Sequence, residues 1–430
     1  MARLIACLSR FRRARSGNIA VIFALALLPI LTFVGAAVDY SLAVRARTKV
    51  QASLDSAVLL ATASTEISKS AATVQADALN MFNGHMSAYN MTASSVTITA
   101  TDSVTTRTVV GVASASITTT FMRVLGFKTM SVSATSTAAA SMPTYMDFYV
   151  VLDNSPSQGL GATTADMTAL QNATSDSCAF ACHDTYTSSS KKTLQTNSYY
   201  SIAKSLGITM RIDVVRTATQ SLTDTATASQ LVSNQFRMAV YSMGSDCSAV
   251  GLTTIAALSS SLSSVKTLVS SLDLMTIPYT NYNNDMCTDF DGVLASANTT
   301  IPSSGTGTAS SPQKWLFFVA DGVADYYYPS TCTQTVISSS GRCQEPLTTT
   351  ICDTIKARGI NIAVLYTTYL AITNNSWYTT YIAPFRSSIA TKMQACATSG
   401  YYYEVSSDSS ISAALNALFQ KAVASAHLTK

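Results

Sequence analysis

The sequence predicts an α/β protein: a membrane helix carrying a small α+β domain, then a larger domain with helices on both faces of a mostly parallel sheet. Three observations predict it. A charge-free run of 23 residues, Ser16 to Val38, follows an arginine cluster. Segments rich in β-branched residues recur between positions 95 and 137. Beyond Pro143, almost continuously apolar runs alternate with amphipathic helical ones, as happens when helices cover both sides of a parallel sheet.

Composition narrows the class. With 430 residues, 47% of them apolar, the chain is long enough for two or three cores and too apolar for general disorder. Charged residues make up 12%, against about 25% in ordinary soluble domains, and Ser and Thr supply neutral polar surface instead. The net charge of +4 is local. Arg3, Arg10, Arg12, Arg13 and Arg15 stand in an acid-free tail, leaving 22 basic against 23 acidic side chains elsewhere. No basic stripe remains to neutralise phosphates, which argues against nucleic-acid binding.

The first element is the span. At about 1.5 Å per residue, a helix over 17–38 crosses a hydrocarbon layer of roughly 30 Å. The five arginines before it exceed Arg45, Arg47 and Lys49 after it, so residues 1–16 are expected in the cytoplasm and the bulk of the chain outside. Val34-Gly35-Ala36 offers the alternative of signal-peptide cleavage, but signal cores run about 7–15 residues, shorter than this one. Apart from Cys7, the cysteines number eight: Cys178, Cys182, Cys247, Cys287, Cys332, Cys343, Cys352 and Cys396. An even set suits an oxidising compartment, and the order of elements gives the pairing 178–182, 247–287, 332–343 and 352–396.

Residues 39–142 read as a stem with a small α+β domain. Val50, Leu54, Ala57, Val58 and Ala61 recur at helical spacing, continuing the span outward. A second helix is expected near Ala71 to Met86, ending around Gly84. Strands follow at 95–100, 108–115 and 130–137, with a short helix at Thr118 to Leu125. The break at Ala138-Ala-Ala-Ser-Met-Pro143 marks a linker. In the domain 144–430, strands are expected at 146–152, 236–241, 314–320, 360–365 and 400–404. Helices are expected at 201–228, 253–274, 290–297, 347–358, 386–397 and 411–424. The polar stretches 158–200, 323–346 and 369–385 read as long functional or cross-linked loops.

The first strand of this domain runs into Asp153-Asn-Ser-Pro-Ser157, and Trp315 to Ala320 delivers Asp321-Gly322 to its own end. Ligands of open α/β sheets collect at the carboxyl ends of strands. Carboxylate and hydroxyl oxygens of low total charge suit a hard cation such as Mg²⁺. Between these stretches, Thr288 opens the helix-forming run Thr288-Asp-Phe-Asp-Gly-Val-Leu294. Three histidines, His85, His183 and His427, give little material for acid–base catalysis, and no HExxH pattern occurs. Cys178-Ala-Phe-Ala-Cys182-His183 has one residue too many between its cysteines for a haem-attachment run.

Asp153-x-Ser155-x-Ser157, Thr288 and Phe318-Val-Ala-Asp321-Gly322 together resemble the three loops of the metal-ion-dependent adhesion site of a von Willebrand factor A domain. The resemblance implies a doubly wound, von Willebrand A-like sheet. It also implies a divalent cation, usually Mg²⁺ and otherwise Mn²⁺ or Ca²⁺, surrounded by Asp153, Ser155, Ser157 and Thr288, with Asp321 acting directly or through water. A partner's carboxylate would complete the shell. Family members often carry Gly-Gly before the threonine where this chain has Met286-Cys287, so Thr280 in Tyr279-Thr-Asn-Tyr282 remains a competitor.

The amino-terminal part has its own resemblance. Arg12-Arg-Ala-Arg-Ser-Gly-Asn-Ile-Ala-Val-Ile-Phe-Ala24, Gly35-Ala-Ala-Val-Asp-Tyr40 and Gln51-Ala-Ser-Leu-Asp-Ser-Ala57 are similar to the start of TadE/TadG-like proteins of bacterial tight-adherence (Flp) pili. This resemblance implies a single-pass, non-enzymatic inner-membrane protein facing the periplasm. Its role would be to assemble or anchor pili through a protein partner, or alternatively to serve as a structural pilus subunit. Ile22 stands where processed pseudopilins carry a Glu, which favours a permanent anchor.

Overall fold

The computed structural model describes residues 17–328, 330–337, 341–369, 371–373, 375–406 and 408–426. The basic tail, Cys7 and His427 lie outside them. The chain forms two compact units, Met1–Met142 and Pro143–Lys430.

In the first unit, α1 (Gly17–Ala61) is one continuous helix of 45 residues that passes through Pro29. Its start carries an 18-residue window of mean hydropathy 2.6, long and apolar enough to cross a membrane, and Ile19 to Val34 expose their side chains. From Ala43 onward the helix becomes one-sided. Ala43, Ala46, Val50, Leu54, Ala57, Val58 and Ala61 are buried at three- and four-residue intervals. They pack with Val74, Ala78, Phe82 and Met86 of α2 (Ala71–Ala88), which Ser70 caps. This helix runs through Gly84, past the expected end, because its buried stripe continues to Met86. Both helices share a core with an antiparallel sheet of order β1-β2-β3: β1 (Ala93–Asp102), β2 (Thr106–Thr118) and β3 (Thr129–Ser141). The expected helix at Thr118–Leu125 is a single 3₁₀ turn, Met122–Leu125, at the tip of the β2–β3 hairpin; Thr118 still pairs with Thr129.

The second unit is built on a six-stranded sheet of order β11-β10-β7-β4-β5-β6. These strands are β4 (Met146–Leu152), β5 (Phe236–Gly244), β6 (Val250–Ser259), β7 (Gln313–Ala320), β10 (Asn361–Thr367) and β11 (Tyr402–Val405). All neighbours are parallel except β6, which runs antiparallel at the edge. Strand β4 is buried along its whole length and feeds both faces. Phe148, Val150 and Leu152 pack with α5 (Arg211–Ala228), α6 (Leu262–Val269) and α10 (Asp408–Ala426). Tyr149 and Val151 pack with α7 (Phe290–Thr300), α8 (Thr350–Ala357) and α9 (Arg386–Cys396).

Three expectations are corrected here. The helix placed at Thr253–Leu274 is strand β6 followed by α6, because Thr253, Thr254 and Ala256 pair with β5 and complete its open edge. The helix placed at 201–228 is α4 (Tyr199–Ser205) and α5, separated by a turn. The polar stretches are not bare loops: 158–200 contains α3 (Thr164–Ala173), started by a Thr163–Asp166 capping box, and 323–346 contains the hairpin of β8 (Val323–Tyr327) and β9 (Arg342–Pro346). Disulfides join Cys247 to Cys287, Cys332 to Cys343 and Cys352 to Cys396.

Candidate functional site

Asp153 and Asp321 follow the carboxyl ends of β4 and β7, which are neighbours in the sheet. The Asp153 N–H donates to Val319 O at 2.9 Å, tying one strand end to the other. Both carboxylates are buried, at 1% and 0% exposure. Ser155 N–H donates to Asp153 Oδ1 at 2.9 Å, Gln158 Nε2 donates to Asp153 Oδ2 at 3.3 Å, and the Ser155 and Ser157 hydroxyls are 3.1 Å apart. Asn154, between the site residues, is a clamp: its side chain donates to Gly244 O at 2.8 Å and accepts from Met243 N–H at 3.0 Å. The loop is therefore fixed to the end of β5 as well.

Thr288 arrives from another direction. The disulfide Cys247–Cys287 ties its loop to the segment after β5. Thr288 and Asp325 of β8 exchange two backbone hydrogen bonds, each 3.0 Å. Strand β8 starts directly after Asp321-Gly322, where Gly322 turns the chain with φ 78°; a Cβ there would meet Ile389 Cγ2 at 2.7 Å. The loops carrying Thr288 and Asp321 are thus stitched together by backbone. Thr288 and Ser157 line one pocket of about 390 Å³ with Pro156, Asp325, Arg342 and Trp377. Thr280, the competitor, sits elsewhere: its hydroxyl donates to Asp184 at 3.3 Å and its N–H to Tyr186 O.

The electrostatics are those of two carboxylates confined together. Burial, and then the charge of Asp321, raise the Asp153 carboxyl to about 7. Burial also raises Asp321, against a Ser157 hydrogen bond and the nearby Arg211 guanidinium. Asp321 Oδ2 has no hydrogen-bond partner although it is buried. Such an orphaned oxygen, beside a second carboxylate and two hydroxyls, fits a hard divalent cation of the Mg²⁺ class.

Several neighbours escaped sequence reasoning. Arg211, at the start of α5, is 7% exposed, donates to Thr368 O at 2.9 Å and places its charge beside Asp321 and Asp153. An arginine opening an apolar helix face was its only signal. Phe180, Tyr369 and Ile372 close a small cavity over Ser157, Asp321 and Arg211. At the pocket rim, Arg342 forms a two-pronged pair with Asp325 (2.8 and 2.6 Å) and lies 4.7 Å from the Trp377 ring centre. Trp377 Nε1 donates to Gln344 at 2.8 Å. Cys178 and Cys182 also line this pocket. His183 stacks on Tyr200 and bonds Leu274 O.

No curated protein matches this chain. Solved structures of similar shape include the pilus adhesin SpaC from Lactobacillus rhamnosus GG, at 12% identity and TM-score 0.34, covering 76% of this chain; the chain spans 34% of SpaC. The vWF domain of the type V pili tip protein Mfa5 from Porphyromonas gingivalis is similar at 10% identity and TM-score 0.36, over 66% of this chain and 97% of that one. The PilB minor pilin from Streptococcus sanguinis is similar at 10% identity and TM-score 0.33, over 79% of each chain. In sequence, residues 17–65 match the family described as putative Flp pilus-assembly TadE/G-like.

Proposed function

We propose that this chain is a membrane-anchored pilus-assembly or anchoring protein whose second unit is a von Willebrand A-like domain. That unit binds a protein partner through a divalent cation held by Asp153, Ser155, Ser157, Thr288 and Asp321. The observation that carries the reading is the buried pair Asp153 and Asp321 on adjacent parallel strand ends, with Asp321 Oδ2 unpartnered. The match of residues 17–65 to the TadE/G-like family supports the pilus context, and the apolar start of α1 supports the anchor in a bacterial inner membrane with the bulk of the chain in the periplasm.

When bound, Mg²⁺ supplies positive charge and a coordination position that a partner's Asp or Glu can fill. The protein's own residues prepare that event. Asp153 and Asp321 provide the negative charge; Ser155, Ser157 and Thr288 provide neutral oxygens, so the total charge stays low enough for a further carboxylate to join. Asn154 and the Cys247–Cys287 disulfide hold the loops in place beforehand. The rim of Gln344, Trp377 and the Arg342–Asp325 pair offers a polar and aromatic surface to a partner segment. No step of bond making or breaking is assigned.

The test is isothermal titration of Mg²⁺ into the detergent-solubilised full chain and into Asp153→Ala. A saturable one-site isotherm for the first and none for the second is expected, with circular dichroism showing both folded. Equal isotherms, or none for either, overturn the cation site.

A further inference from the structure

The hairpin tip between β2 and β3 is unusual in two ways. It exposes Phe121 (49%), Val124 (88%), Leu125 (52%) and Phe127 (59%) within seven residues, with exposed Arg123 among them and exposed Lys128 next to the last. It is also held rigidly against α1. The buried Asp39 carboxylate accepts the N–H groups of Thr120 (2.9 Å), Phe121 (2.9 Å) and Met122 (2.7 Å), satisfying the free end of the 3₁₀ turn. One helical turn earlier, a Cβ on Gly35 would stand 2.7 Å from Phe121 Cγ, so only glycine lets the tip approach this closely.

The position of that contact decides what the tip faces. The charge-free run of α1 ends at Val38; Asp39 is its first charge and Tyr40 an exposed aromatic, the pattern of a bilayer surface. A loop fastened at Gly35 and Asp39 therefore lies at the height where hydrocarbon gives way to headgroups. There, four apolar side chains that water would hydrate poorly can enter the acyl boundary, and Arg123 and Lys128 can meet lipid phosphates.

We infer that the β2–β3 tip, residues 119–128, is a second membrane contact: an interfacial wedge that inserts into the leaflet next to α1 and fixes the tilt and height of the first unit on the bilayer. The inference rests on α1 spanning the membrane, as in the proposed function, but needs neither the cation site nor a pilus partner. The occupant is the lipid itself, because the clamp sets the tip at the level of the membrane that α1 already crosses.

The experiment places a fluorescent reporter at the tip of the full chain reconstituted into anionic phospholipid vesicles. In V124W the added emission, after subtraction of the wild-type signal from Trp315 and Trp377, should be blue-shifted. Lipids carrying a quencher about 5–10 Å below the surface should remove most of it. V104W reports from the β1–β2 turn, roughly 40 Å away along β2, and should show neither effect. Adding D39A to V124W releases the tip, and the quenching should fall severalfold while the helix still anchors. Flotation of each variant with the vesicles after alkaline washing checks the anchor separately. Floating V124W with water-like emission and no quenching overturns the wedge, whether the tip then meets solvent or another protein. Quenching of V104W equal to that of V124W also overturns it.

Discussion

Replacing Asp321 by asparagine separates a cation site from a mere pair of buried acids, because only the cation site predicts that Mg²⁺ stabilises the wild type more than the variant. In chelator, the wild-type protein keeps Asp321 Oδ2 buried without a partner beside the Asp153 carboxylate. The amide of Asp321→Asn removes one of the two like charges and can donate to Asp153, while Arg211 keeps Asp153 as a counter-charge. An unsatisfied buried group costs about 1–3 kcal/mol. At about 2–4 °C per kcal/mol for a unit of this size, the variant should melt a few degrees above wild type. In Mg²⁺ at 100 times its Kd, the wild type gains about 2.7 kcal/mol, or roughly 5–10 °C, whereas the variant has lost a carboxylate ligand and gains little. The variant's advantage should therefore disappear. Differential scanning calorimetry of the solubilised full chain, with EDTA and with Mg²⁺, reads all four values. A Mg²⁺ shift of the same size in both proteins would refute the reasoning.

Three further outcomes follow from the packing. Opening the Cys247–Cys287 bridge with Cys287→Ser releases a 40-residue loop; chain entropy puts the cost near 4 kcal/mol, and Mg²⁺ affinity by titration should fall with it because Thr288 loses its tether. Asp147, buried at 1%, holds Arg237 at 2.7 Å and buried Lys314 at 2.6 Å, so Asp147→Ala should lower stability by about 3–5 kcal/mol in urea denaturation. In the first unit, the hydrogen bonds and charge of Arg107 hold the Asp102 carboxyl below its usual range. Its contribution is present above the unfolded value of about 3.9 and is lost as pH falls through the lower folded one, so melting curves between about pH 5 and 2 should be flatter for Asp102→Asn than for wild type.

The parts that could be read from sequence are those where one local signal suffices. The apolar runs ending at Asp153 and Asp321 announce buried strands because parallel strands need no alternation, and both residues do follow strand ends. The stripe from Val50 to Ala61 announces a one-sided helix because its spacing is helical. What escaped depends on distant partners. Thr253 to Ser259 is a strand only because β5 has an open edge to fill, and its Ser- and Thr-rich pattern fits either state. Arg211 can be buried only because two carboxylates from other strands face it, and nothing in its own neighbourhood encodes them. Phe180 and Tyr369 reach the site from insertions without periodicity. The clamp of Asp39 on the β2–β3 tip joins residues 81 to 83 positions apart.

The most direct measurement of the cation site is anomalous scattering from crystals of the second unit grown with Mn²⁺, an ion that reports its own position. The account predicts one strong peak bounded by Asp153, Ser155, Ser157, Thr288 and Asp321, and its loss in Asp153→Ala. Those five residues without a peak, or a peak only elsewhere in the unit, would contradict it.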